Sequence, residues 1–119
     1  ARNPEMWTLP LFTALRRRCD PARPCALATY SRSTLVRTAL LRAGFFVGAG
    51  PAVAGKEETT LAVTAPELAG ALLGTRWLER ARRSHAAEPL TEAVYRQAPL
   101  AAAGLAALGA HPQFGAPQA

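Results

Sequence analysis

The sequence is poor in cysteine, lysine, acidic and aromatic residues, and it has no long run of large hydrophobic side chains. Cys19 and Cys25 are its two cysteines, without C-x-x-C spacing. Two thiols are too few for a disulfide scaffold, so they read as reduced cysteines of a cytoplasmic protein, with one bridge left open. His85 and His111 lie far from each other and from both cysteines, so no metal site is expected. No G-x-S-x-G elbow occurs and no histidine is paired with an acid, which argues against nucleophilic hydrolysis. The stretch after Arg96 carries no Lys, Arg, Asp or Glu, but it is alanine and glycine rather than leucine and valine. A membrane span needs about 20 strongly apolar residues, so none is expected here.

What remains is enough for one ordinary domain of 119 residues and excludes a multidomain enzyme. Half of the residues are hydrophobic, yet 27 are alanines that bury little area each, so packing rests on 16 leucines and a few aromatics. Thirteen arginines and one lysine face eight acids, and the resulting net charge of +6 favours polyanionic partners.

Thr8, followed by Leu9, Pro10, Leu11, Phe12 and Leu15, predicts an N-cap, a first-turn proline and an apolar stripe that ends in Arg16-Arg17-Arg18. Asp20-Pro21 and Pro24 then break the chain. Cys25 to Tyr30, uncharged and bounded by turn residues, predicts a short strand covered on both faces. Ser31 to Ser33 offers the next N-cap. Leu35, Val36, Ala39, Leu40 and Ala43 make one apolar face with Arg32, Arg37 and Arg42 off it, and Gly44 ends the helix. Phe45-Phe46-Val47 starts a second strand, Gly48 to Gly55 reads as a loop, and Glu58 to Thr64 alternates as a third strand. Pro66-Glu67 opens another helical stretch, and Arg76 to Arg83 carries a basic face around Trp77 and Leu78. From Thr91 the pattern decays into alanine-rich low complexity, helical at most over Ala98 to Leu108 and without the bulk to dock firmly.

Gly50 to Lys56 satisfies the first seven positions of a phosphate-binding G-x-x-x-x-G-K loop, but Glu57 stands where Ser or Thr must hold magnesium, and a strand follows instead of a helix. A flexible turn is the better reading. His111-Pro-Gln-Phe114-Gly115 is similar to a streptavidin-binding peptide core and reads as coincidence or a tag remnant, with both histidines on the surface. The basic clusters Arg16 to Arg18, Arg32/Arg37/Arg42 and Arg76/Arg80/Arg82/Arg83 read as solvated helix faces, with RNA contact as the alternative.

More specific is Asn3-Pro-Glu-Met-Trp7-Thr8 at a helix start, which resembles a signature of the methyltransferases that complete the 5-methylaminomethyl group on the tRNA wobble uridine. Ala28-Thr29-Tyr30-Ser31 is similar to that family's strand end. Val36-Arg37 with Leu40 and Ala43-Gly44-Phe45 resembles its V-R-x-x-L-x-x-A-G-F helix exit, and Gly55-Lys56-Glu57-Glu58 its G-x-K-R-E loop. The resemblance runs from Ala1 to about Arg83, and Glu57 departs from it, standing where the pattern has Arg.

The fold implied is α/β: a partial class I S-adenosylmethionine-dependent methyltransferase sheet, Rossmann-like, second half only, with a helical C-terminal extension. Residues 1–64 would be that half, 65–90 a helical extension and 91–119 an alanine-rich tail. The strand from Cys25 is expected to run parallel to the one from Phe45 and antiparallel to the one ending at Val63. In the family, the glycine-rich cofactor loop, the acid for the cofactor ribose and the D-x-F-x-P motif precede the position of Asn3. The resemblance therefore implies that S-adenosylmethionine serves the complete domain and does not bind this chain alone. It places no catalytic residue in this chain, and it names tRNA and the missing N-terminal half of the domain as partners. Substrate-binding candidates carried over are Asn3, Pro4, Trp7, Tyr30, Ser31, Lys56 and Glu58, the strand-end pair because open α/β sheets hold ligands there. Arg37, Arg76 and Arg80 are the tRNA-contact candidates. Some relatives are fused to a FAD-dependent oxidoreductase, and nothing resembling a FAD fingerprint occurs here. Two alternatives stay open: a class I methyltransferase for another amine, and a non-catalytic basic RNA-binding module whose affinity would fall with salt.

Overall fold

Thr8 caps the first helix. Its Oγ1 accepts the Leu11 amide at 3.3 Å, and α1 (Leu9–Arg18) follows with Pro10 in the first turn, where a missing N–H leaves no bond unmade. These atoms come from a computed structural model that describes residues 7–29, 31, 33–49, 59–69 and 71–114. Ser33 caps α2 (Thr34–Ala43) by accepting the Val36 amide at 3.2 Å, and Gly44 closes it in the left-handed region at φ 109°. The strands are β1 (Ala26–Thr29), β2 (Phe46–Ala49) and β3 (Thr60–Val63). Beyond them lie α3 (Thr75–Arg83) and α4 (Ala102–Gly109).

The sheet has the order β1-β3-β2, and β3 is antiparallel to both neighbours, with Val63 opposite Ala26 on one side and Phe46 on the other. β1 and β2 therefore run in the same direction with β3 between them, which agrees with the expected strand directions. Helix α2 packs against α1, β2 and α4, and the core gathers Phe12 from α1, Leu40 and Leu41 from α2, Val47 from β2, Trp77 from α3 and Leu108 from α4. Among the described residues, no helix is long and apolar enough to cross a membrane.

Several local expectations give way to tertiary context. β1 alternates between exposed and half-buried positions rather than being covered on both faces, and among the described residues it has one ladder partner, β3. Gly48 and Ala49 belong to β2, not to a loop. Residues 71–73 return alongside them: Leu72 bridges Gly48, and the Leu73 amide donates to Val47 O at 2.9 Å. The helical stretch expected from Pro66-Glu67 is a single 3-10 turn, Pro66–Leu68. α2 is buried around almost its whole circumference, Arg37 and Thr38 included, since three elements cover it. The alanine-rich tail does dock: Leu108 is fully buried in the common core.

Candidate functional site

An apolar cleft of about 330 Å³ lies between α1 and β1. Leu11, Phe12 and Leu15 supply one wall from α1, at the i, i+1, i+4 positions that share a helix face, and Leu27 and Thr29 supply the other from β1. Leu40 of α2 closes the cleft, and Trp7, half-buried, stands beside it. Trp7 is thus the one member of the Asn3–Trp7 motif among the described residues, and it packs along the apolar surface. Leu15, at 40 % exposure, leaves that surface open to solvent.

At the carboxyl end of β1, the Thr29 hydroxyl accepts the Ser31 amide at 3.2 Å, and the Ser31 hydroxyl accepts the Ser33 amide at 3.3 Å. The chain is thereby held in a polar ladder that delivers Ser33 to its capping position. Thr60 of β3 joins this end to α2. Its hydroxyl donates to Ser31 O and accepts Arg37 Nε at 2.7 Å, so Ser31 and Arg37 meet through a fully buried threonine. Arg37 is 6 % exposed, which corrects its placement on a solvated face. The sequence offered a cue to Thr60, a polar β-branched residue two positions before the buried Ala62, but nothing in it named the partners.

A second concavity, of about 250 Å³, is lined by Thr34, Arg37, Trp77 and Arg80. It brings two of the three arginines singled out from the sequence to one place. Arg76 and Arg80, one turn apart on α3, are exposed, whereas Arg82 pairs with Glu79 at 3.6 Å. Trp77 is buried and faces the core. Arg16 also departs from a purely solvated role: its Nε donates to Gly44 O at 3.1 Å, and its guanidinium lies 5.9 Å from the centroid of the Phe45 ring.

The segment His111 to Phe114, which the sequence presented as a coincidence, is a clasp on β2. The Gln113 side chain accepts the Val47 amide at 2.9 Å and donates to Val47 O at 2.9 Å and Leu73 O at 3.0 Å, taking the place of a neighbouring strand. His111 Nδ1 accepts the Gln113 amide at 3.1 Å, while Nε2 lies 2.8 Å from Phe45 O, a pattern that requires the neutral imidazole with its proton on Nε2. His111 is therefore not a surface histidine. Burial pushes its pKa down, against the opposing pull of the Phe45 carbonyl. Phe114 stacks on Trp77, with centroids 6.0 Å apart and planes 8° from parallel.

Asn3, Pro4, Tyr30, Lys56 and Glu58 lie outside the described residues, as do Arg32 and the Gly50 to Lys56 loop. Among the described residues, no group of three or more His, Cys, Asp or Glu could hold a metal ion.

The described residues form an α/β arrangement with a small sheet, which fits the family that the comparisons identify. Residues 1–65, more than half of the chain, match the model of the S-adenosyl-L-methionine-dependent methyltransferase family, and the chain belongs to that family. It is also 49 % identical over 47 residues to the tRNA 5-methylaminomethyl-2-thiouridine biosynthesis bifunctional protein of Ectopseudomonas mendocina (strain ymp). That match covers 40 % of this chain and 7 % of the relative, and it bears out the resemblance carried by the helix-start and strand-end motifs. No solved structure matches the chain.

The cleft does not fit the family's methyl donor. Among the described residues its side-chain polar groups are the Thr29 hydroxyl and the Trp7 indole, whereas S-adenosylmethionine carries a charged amino-acid group and ribose hydroxyls that must be paired when buried. No methyl-transfer step is therefore assigned to the residues of this cleft.

Proposed function

We propose that this chain supplies the second half of the sheet in a methyltransferase domain that methylates the aminomethyl group of the tRNA wobble uridine. In this reading the α1–β1 cleft is a packing surface for the upstream half of the domain. The observation that carries it is the outer edge of β1, which has no strand partner among the described residues and lies beside an apolar cleft. The β1-β3-β2 order, with β3 antiparallel between two parallel strands, supports a terminal half-sheet of the Rossmann-like kind. Residues 71–73 of a helical extension over 65–90 and residues 111–114 of a tail over 91–119 then brace the outer side of β2.

The upstream half brings the cofactor site and the groups that hold the amine in line with the sulfonium, so that positioning and electrostatics at the amine supply the catalysis. The S-adenosylmethionine of the complete domain is expected to show no measurable binding to this chain alone. Trp7 and Ser31, with Asn3, Pro4, Tyr30, Lys56 and Glu58, are proposed to border the nucleoside. Arg76 and Arg80 are proposed to meet the tRNA backbone, with Arg37 as the buried anchor behind Arg80.

The test is co-expression with an upstream half that carries the glycine-rich loop and the D-x-F-x-P motif, followed by assay of methyl transfer to tRNA bearing the aminomethyl nucleoside. Activity is expected only with both halves present, and Arg76→Ala with Arg80→Ala is expected to reduce the salt slope of tRNA binding by about one per lost phosphate contact. Methyl transfer to small amines but not to tRNA would overturn the substrate. Salt-sensitive RNA binding with no activity in the reconstituted domain would overturn the enzyme reading.

A further inference from the structure

Residues 87–98 form a closed loop between α3 and α4. The Ala87 and Glu88 amides both donate to Ala98 O at 2.9 Å, which joins the two ends of the loop. The Glu88 carboxylate accepts the Ala101 amide at 2.9 Å, at the N-cap of α4. Leu90 O accepts the Leu9 amide at 2.7 Å and Leu90 bridges Thr8, so the loop is tied to the start of α1, next to Trp7 in the chain. Ala87 and Leu90 are buried beneath it. A surface loop with its ends held together in this way is an Ω-loop, a compact form that binding sites often use.

The loop surrounds a pocket of about 220 Å³. That is below the roughly 300–1,000 Å³ of sites for drug-sized ligands, so it suits one ring system rather than an extended molecule. Pro89, Leu90 and Val94 give it apolar walls, and Glu88, Glu92 and Arg96 bring charge to it. Glu88 is committed to the Ala101 amide, but Glu92 and Arg96 make no hydrogen bond or ion pair with any described residue. A free carboxylate and a free guanidinium beside apolar walls match a ligand with a flat ring, an edge of hydrogen-bond donors and a negative group.

Among the common nucleobases, guanine has such an edge. Its N1–H and N2–H groups lie side by side, and a carboxylate accepts both, one on each oxygen. Adenine and cytosine set a ring-nitrogen acceptor beside the amino group, and uracil flanks its N3–H with two carbonyl oxygens, so each turns a lone pair toward the carboxylate. We infer that the 87–98 loop binds a guanosine nucleotide, with Glu92 accepting the N1–H and N2–H of the base between the apolar walls and Arg96 pairing with the phosphate. That the guanosine belongs to the tRNA substrate rests on the proposed function, whereas the preference of the pocket for guanine does not.

The test is equilibrium dialysis of the full chain, alone and with the upstream half, against 5′-GMP, 5′-AMP, 5′-CMP, 5′-UMP and guanosine. 5′-GMP is expected to bind about tenfold more tightly than the other nucleotides, the scale of a charge-assisted pair of hydrogen bonds. Glu92→Gln, which keeps the size and removes the charge, should erase most of that preference, and Arg96→Gln should bring 5′-GMP down to the affinity of guanosine. Both residues are exposed, so neither change disturbs the core. Binding of the trinucleotide U-G-U in preference to U-A-U puts the guanosine in an RNA strand, and exclusion of U-G-U with 5′-GMP still bound assigns the pocket to a free guanine nucleotide. Equal binding of the four nucleotides, no binding at millimolar concentration in either sample, or a preference unchanged by Glu92→Gln would each overturn the inference. Methyl transfer to tRNA without a guanine preference removes this inference alone, and a guanine preference without methyl transfer removes the proposed function alone.

Discussion

A methyl group at position 48 has no room. A Cβ built on Gly48 runs into the backbone carbonyl of Ala71, and a backbone atom cannot swing aside as a side chain can. Gly48→Ala is therefore expected to destabilise the chain by about 1 to 3 kcal/mol, the usual range for overpacking, as read from urea unfolding. Gly109→Ala, in the last turn of α4 and with nothing within 4 Å of the added carbon, is the matched control and should not destabilise the chain. His111 sets a pH dependence. Its folded pKa lies below the 6.5 of the free side chain, so the unfolded chain takes up protons first as pH falls. The stability contribution of the neutral ring is complete above pH 6.5 and is lost progressively below it, toward the depressed folded value. Thermal unfolding of the parent chain should decline below pH 6.5, and His111→Asn should flatten that decline. An unchanged slope in the variant would place the titration elsewhere.

At the scale of elements, the clasp on β2 is the most exposed to test. Gln113 replaces a strand with one amide group, bonding to both backbone atoms of Val47 and to Leu73 O. Gln113→Leu leaves the Val47 amide without that acceptor, and a loss of about 1 to 3 kcal/mol is expected. Hydrogen exchange at the Val47 amide should accelerate while the β1–β3 ladder keeps its protection. Gln113→Glu separates shape from chemistry: it keeps an acceptor for the Val47 amide but sets a carboxylate against two carbonyl oxygens, and it should cost at least as much.

For the whole molecule, the asymmetry of the sheet matters most. Residues 111–114 and 71–73 attend the β2 side, whereas β1 presents a row of backbone groups with no partner among the described residues, beside an apolar cleft. Such an edge pairs with whatever strand is offered. The chain alone is expected to self-associate or to remain partly unfolded, and to become monodisperse when the upstream half is supplied. Sedimentation showing a concentration-independent monomer with a cooperative thermal transition would contradict this.

The helix ends were legible in the sequence because their causes are local. Thr8, Ser33 and Gly44 act on backbone groups within four residues of themselves, and residue type alone announces such short-range bonds. The element order α1, β1, α2, β2, β3 followed from period and turn chemistry in the same way, and the motifs around Trp7 and Ala28–Ser31 pointed to the family. The rest depended on partners that no window of sequence contains. Gln113 finds Val47 across 66 residues, and Thr60 finds Ser31 across 29. Arg37 sits at a position whose residue type suggests solvent, and it is buried where it reaches Thr60 of β3 beside Trp77 and Arg80 of α3. The alanine-rich tail looked too light to dock, yet one leucine, one glutamine, one histidine and one phenylalanine at the right separations hold it. Propensity and capping are properties of a segment, so they can be read along the chain. Burial, register partners and the close approach at Gly48 are properties of distant segments meeting, and they exist only once the chain has folded.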